Sequence, residues 1–164
     1  MRFGGFRVGP RSRCLPAAPV VLCGVFGALL GAGVFTFGEA EGVSYLGDDA
    51  ATCANCHIMR GHLDGWRKSS HHAVATCNDC HVPQALIPKY LVKGENGFSH
   101  SKAFTLQDFH EPIQIRPVSA AIVQRNCLRC HGPLVEPMLG RARPKGEGLA
   151  CARCHSGVGH GPSR

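Results

Sequence analysis

A chain of 164 residues, 44% hydrophobic and 18% charged, supports one small domain and leaves little room for a large apolar core built from side chains alone. Its formal net charge of +7 is unevenly placed: four of the 18 Lys and Arg fall within the first 13 residues, and residues 38–164 hold the other 14 against all 11 Asp and Glu. Most of the chain is therefore only mildly basic, and the ten cysteines, not the charge, are its outstanding feature.

The amino terminus carries Arg2, Arg7, Arg11 and Arg13 and no acid. From Leu15 to Phe37 the chain then runs 23 residues without a charge. That length crosses a bilayer as one helix, whereas a secretory signal has a shorter apolar run, although Gly38-Glu39-Ala40 resembles a cleavage site. The arginines predict a cytoplasmic basic segment over 1–14, an anchor helix over 15–37, and everything from 38 to 164 on the far side of the membrane. Gly27 and Gly31 have the spacing that lets membrane helices approach closely, and Cys14 and Cys23 read as small apolar residues.

Beyond the span, four copies of Cys-x-x-Cys-His follow: Cys53, Cys56 and His57; Cys77, Cys80 and His81; Cys127, Cys130 and His131; Cys151, Cys154 and His155. Two thiols at this spacing add across the two vinyl groups of one haem, and the next histidine lies beneath the ring to ligate iron. Zinc knuckles and disulfides are the competing uses of paired cysteines, but neither requires a histidine directly after the second cysteine every time. The motifs therefore predict four covalently bound haem c groups. In bacteria such attachment takes place outside the cytoplasmic membrane, in agreement with the orientation read from the arginines.

First cysteines at 53, 77, 127 and 151 give intervals of 24, 50 and 24, a two-haem unit duplicated once. The expected fold is mostly α: one transmembrane helix and a small tetrahaem domain of short helices and loops, with little or no β and a core made largely of porphyrin. Haem propionates add up to about eight negative charges and turn the domain acidic, so nucleic acid is excluded as a partner. Many of the domain's Lys and Arg residues are expected to pair with those propionates.

Four irons have eight axial positions, of which the motif histidines fill at most four. His62, His71, His72, His100, His110 and His160 are the remaining candidates, more than the places available. Met59, two residues beyond His57, offers a thioether that raises a haem's reduction potential relative to histidine, against the alternative of an ordinary apolar residue.

In combination, Cys53-Ala-Asn-Cys-His-Ile-Met59, Trp66-Arg-Lys-Ser-Ser-His71, Ala75-Thr-Cys-Asn-Asp-Cys-His-Val-Pro83, Lys89-Tyr-Leu-Val-Lys93, Ala103-Phe-Thr105 and Ile122-Val-Gln-Arg-Asn-Cys-Leu-Arg-Cys-His131 closely resemble the small subunits of cytochrome c nitrite reductases, in the NapC/NirT group of quinol dehydrogenases. The resemblance implies an all-α, haem-packed fold with one anchor helix. It also implies Met59, not His57, as ligand of the first haem, His81, His131 and His155 as motif ligands, and His71 and His160 as distal ligands, with His72 as the fallback for His71. The resemblance further implies that another haem receives its sixth ligand from a lysine of the catalytic subunit.

The same resemblance puts a quinol pocket beside the first haem, with Lys93, or its neighbour Lys89, hydrogen-bonding a quinol oxygen and favouring loss of its proton. Where some relatives have an acid near the first haem's open face, this chain has His100, so the proton acceptor is His100, Asp108 or Glu95. The function so implied is menaquinol dehydrogenation at the bacterial inner membrane. Electrons would pass through periplasmic haems to a multihaem, ammonia-forming nitrite reductase subunit in a hetero-oligomer. Two alternatives stand beside it: the same role feeding another periplasmic reductase, such as one for nitrate, or a membrane-tethered carrier with no quinol site.

Overall fold

The computed structural model describes residues 17–139 and 150–161. The basic arm over 1–14 and the first two residues of the expected span lie outside the described residues. Helix α1 spans Ala17–Glu39, continuing two residues past the expected end at Phe37. It is the one described helix long and apolar enough to cross a membrane, and none of its side chains is buried within the protein. A helix satisfies every backbone donor and acceptor within itself, the requirement imposed by a hydrocarbon surrounding.

The chain divides into two units at Ala40 and Glu41. In the second unit, 3₁₀ turns over Gly42–Leu46, Ala50–Asn55 and His57–Met59 lead into α2 (Arg60–Arg67), α3 (Cys77–His81), α4 (Leu86–Leu106), α5 (Pro117–Leu139) and α6 (Cys151–Cys154). No strand occurs among the described residues, as expected. The expectation of short helices throughout needs correcting, because α4 and α5 run 21 and 23 residues. Pro117 suits the first helical position of α5, and the Ala120-Ala121 pair carries the helix into the third cysteine motif, which thus lies within a long helix.

Local chemistry fixes the shorter elements. Thr76 and Asp79 form a reciprocal capping box, each bond at 2.8 Å on the Thr76 side, so that the second cysteine motif starts as a helix. Asp49 caps the turn bearing Cys53, accepting from the Ala51 amide at 2.9 Å. Helix α5 packs on α3 and α6, while α2 packs on the turn Ala50–Asn55. At the first of these crossings the buried Asn126 donates at 2.9 Å to both the Cys80 and Val82 carbonyls. At the second, the Cys151 amide donates to the Gln124 side chain at 2.8 Å.

Side chains supply almost no conventional core. Among the described residues only Ala50, Val82 and Ile122 are buried apolar residues, and no large side chain is fully buried. A water-soluble unit of this size ordinarily encloses a far larger apolar interior.

Candidate functional site

The four cysteine motifs fall into a spatial series. The Cys53 and Cys77 thiols lie near enough to perturb one another, and so do those of Cys127 and Cys151. Cys80 feels the charges of Cys127 and Cys130, which joins the two pairs. The two 24-residue intervals of the sequence thus reappear as two like pairs of adjoining motifs. The Cys77 contact draws the Cys53 thiol down to about 7 and raises that of Cys77 itself.

All nine described cysteines are free thiols, and among the described residues no three His, Cys, Asp or Glu side chains converge on a lone metal ion.

The histidines assemble around these motifs. His81 and His160 have ring centroids 5.9 Å apart and His71 and His131 6.0 Å apart. With a metal–imidazole bond of about 2 Å, two imidazoles on opposite faces of one iron have centroids roughly 6 Å apart. His160 comes from the far end of the chain, with Nδ1 3.1 Å from the His62 carbonyl oxygen, which orients the ring and leaves Nε2 for a metal. Burial, followed by the charges of His160, His62 and His100, lowers His81 to about 4, so the imidazole is held in the neutral form that ligates metal. His72 instead stands edge-on to Trp66 at 5.8 Å. Met59 is half-buried, while His57 is exposed. Among the described residues no imidazole ring pairs with that of His155.

Free thiol pairs, paired imidazoles and a polypeptide with little apolar interior of its own are what a covalently bound haem requires. The residues fit haem c.

The expected quinol residues lie on α4. The Lys93 ammonium donates to the Gly47 carbonyl and to Asp48 Oδ1 at 3.3 Å, and Lys89 donates to Asp48 Oδ2 at 2.6 Å. Lys93 is close enough to Cys53 for its charge to lower that thiol, which puts it beside the first motif. The bond from Lys89 holds the Asp48 carboxyl at about 2, and Asp48 in return raises Lys89. A shallow apolar pocket lined by Leu86, Ile87, Tyr90 and Leu91 lies on the same helix, and the Tyr90 hydroxyl donates to the Leu46 carbonyl at 3.2 Å.

His100 is not joined to this cluster by a hydrogen bond; desolvation and then the Arg116 charge hold it below its usual value. Glu95 is engaged by Arg116 at 2.9 Å. Asp48 and Asn78 were not singled out by sequence, yet Asp48 binds both lysines and Asn78 donates to Asp48 at 2.7 Å. Only the Gly-Asp-Asp run just ahead of the first motif hinted at a built turn there.

Comparison with known proteins agrees with this geometry. The NapC/NirT cytochrome c family, N-terminal region, matches residues 16–164. The chain is 36% identical over 149 residues to the cytochrome c-type protein NrfH of Wolinella succinogenes, covering 85% of this chain and 84% of that protein. It is 31% identical over 150 residues to the cytochrome c nitrite reductase subunit NrfH of Nitratidesulfovibrio vulgaris, covering 92% and 89%. A crystal structure of the cytochrome c nitrite reductase NrfHA complex bound to the inhibitor HQNO superposes with a TM-score of 0.59 at 27% identity, over 86% of this chain and 90% of that one.

Proposed function

The chain belongs to the NapC/NirT cytochrome c family, and on that premise we propose that it is the membrane-anchored menaquinol dehydrogenase subunit of an ammonia-forming nitrite reductase. The relative named as a cytochrome c nitrite reductase subunit, and the structural likeness to a chain of an NrfHA complex, support that partner. Helix α1 anchors the chain in the bacterial inner membrane, with residues 38–164 in the periplasm.

The observation that carries the quinol reading is the place of Lys93. Its ammonium lies beside Cys53 of the first motif and on the helix that bears the apolar pocket of Leu86, Ile87, Tyr90 and Leu91. There it hydrogen-bonds a quinol oxygen and stabilises the anion left when the proton departs, while the pocket receives apolar parts of the molecule. Four bound haem c groups supply one-electron carriers from this end of the chain to the partner.

Met59 serves the first of them, and the ring separations support His81 with His160 and His71 with His131 as ligand pairs for the second and third. His155 is left to share its iron with a group from the catalytic subunit. Glu95 is committed to Arg116, which leaves His100 and Asp108 as the proton acceptors.

Reconstitution of the purified chain in liposomes with a reduced menaquinol analogue tests the reading. Reduction of the haem absorbance is expected. A protein that dithionite reduces but the quinol does not would be a tethered carrier instead.

A further inference from the structure

We propose that Asp48 is the positioning residue of the quinol site, holding the Lys93 ammonium in the one place from which it meets the substrate oxygen. The inference rests on the quinol reading of Lys93 and deepens it. The Asp48 carboxylate gathers three side chains from two helices: Asn78 at 2.7 Å, Lys89 at 2.6 Å and Lys93 at 3.3 Å. Asn78 is an interior residue of the second cysteine motif, and Lys93 lies beside the first. Asp48 therefore fixes α4 to the frame of both motifs at the point where the candidate cation projects.

Stability alone does not account for the cluster. Ion pairs with a half-exposed carboxylate contribute little, and the Asp48 side chain is 51% exposed. The lysines, by contrast, have side chains only 17% and 13% exposed. Two long, flexible cations are thus drawn in and ordered by one acid, and one positive charge remains uncompensated. An ammonium has three N–H groups. The Gly47 carbonyl and Asp48 take two from Lys93, which leaves the third for a quinol oxygen. Lys89, on the other oxygen of the carboxylate, stops Asp48 from turning wholly onto Lys93 and neutralising it.

The test uses the full chain in liposomes with a dimethylnaphthoquinol as donor, and follows the rate of haem reduction. Asp48→Asn keeps the shape and the capacity to bond Lys89 or Lys93 but removes the charge. The maximal rate is expected to fall at least about 10-fold, as for a misplaced reacting group, with the half-saturating quinol concentration changed less than about twofold because the apolar contacts persist. Asp48→Glu should recover most of the rate. Full haem content and complete reduction by dithionite in each variant exclude simple misfolding.

Lys93→Gln should show the same fall, and adding Asp48→Asn to it should cost nothing further, as for residues acting in one unit. An Asp48→Asn rate equal to the parent while Lys93→Gln is slow overturns the positioning role and spares the quinol site. Effects that multiply in the double variant overturn it equally. A Lys93→Gln protein as fast as the parent overturns the underlying reading of the site, and the role of Asp48 with it.

Discussion

Gly65→Ala is expected to displace His160 from the iron it is proposed to ligate. A Cβ at position 65 would lie 2.1 Å from the His160 carbonyl oxygen, 2.8 Å from its carbonyl carbon and 3.1 Å from its Cα. All three atoms are backbone, so no side-chain rotation relieves the clash, and the segment carrying His160 must retreat by about 1 Å or α2 must move. A retreat of that size is roughly half the length of a metal–imidazole bond of about 2 Å. It would open the 5.9 Å spacing between the His81 and His160 rings and loosen the contact of His160 Nδ1 with the His62 carbonyl. Overpacking of this kind costs about 1–3 kcal/mol.

The assay is the spin state of the ferric protein by optical and paramagnetic resonance spectroscopy. One of the parent's low-spin sites should become high-spin, with haem content unchanged because Cys77 and Cys80 are untouched. Gly61→Ala is the control on the same helix, since its Cβ would meet nothing within 4 Å. There the expected result is an unchanged spectrum with a gain of about 0.5–1 kcal/mol in helix stability. A Gly65→Ala protein with the parental low-spin signature and parental stability would refute the assignment of His160.

Two further predictions address stability. Asn126→Leu removes the 2.9 Å donors of the Cys80 and Val82 carbonyls, leaving Val82 only the 3.4 Å bond from the Gln84 side chain, and at about 1–3 kcal/mol for an unsatisfied group should lower the stability of the haem-loaded protein by about 1–3 kcal/mol in chemical denaturation. The Asp48 carboxyl is held at about 2, below the ordinary carboxylate range, by its bond from Lys89. A depressed acid stabilises the fold above its unfolded value and loses that contribution as pH falls through the folded one. Hydrogen-exchange protection at the amino-terminal end of α4, taken relative to the intrinsic exchange rate at each pH, should therefore be constant above about pH 4 and fall between about pH 4 and 2, an effect kept small by solvent screening and absent in Asp48→Asn.

The cysteine motifs were legible because covalent haem attachment demands fixed residue types at fixed local spacing, and the span because length and apolarity alone decide it. The helical lengths were less so. Short helices and loops were expected throughout the domain, yet the third motif lies within the 23-residue α5, where tertiary packing on α3 decides its conformation. Ligand pairing was hidden because His71 and His160 meet His131 and His81 only through the folded chain, at separations of 60 and 79 residues. Asp48 and Gly65 escaped notice for different reasons. An exposed acid near a turn is common, and a glycine needed for close approach has no local signature when the approaching backbone is 95 residues away.

The order of the motifs gives the chain a direction, and that direction is testable at its far end. The first motif has Lys93 beside it, the second and third have histidine pairs, and the fourth has His155 with no ring partner among the described residues. An electron path whose intermediate sites are saturated by protein ligands, and whose last site is incomplete, exchanges ligands only where it meets another molecule. The isolated chain should therefore contain an iron that binds an exogenous ligand such as cyanide or imidazole at the fourth site. Addition of the catalytic subunit should displace that ligand and convert the site to low spin, with no change at the sites of His81 and His131. His155→Ala should abolish the partner-induced spectral change. If the isolated chain instead shows the fourth site already low-spin and closed to cyanide, a residue of this chain completes it, and the path ends in a saturated haem rather than in a ligand shared across the interface.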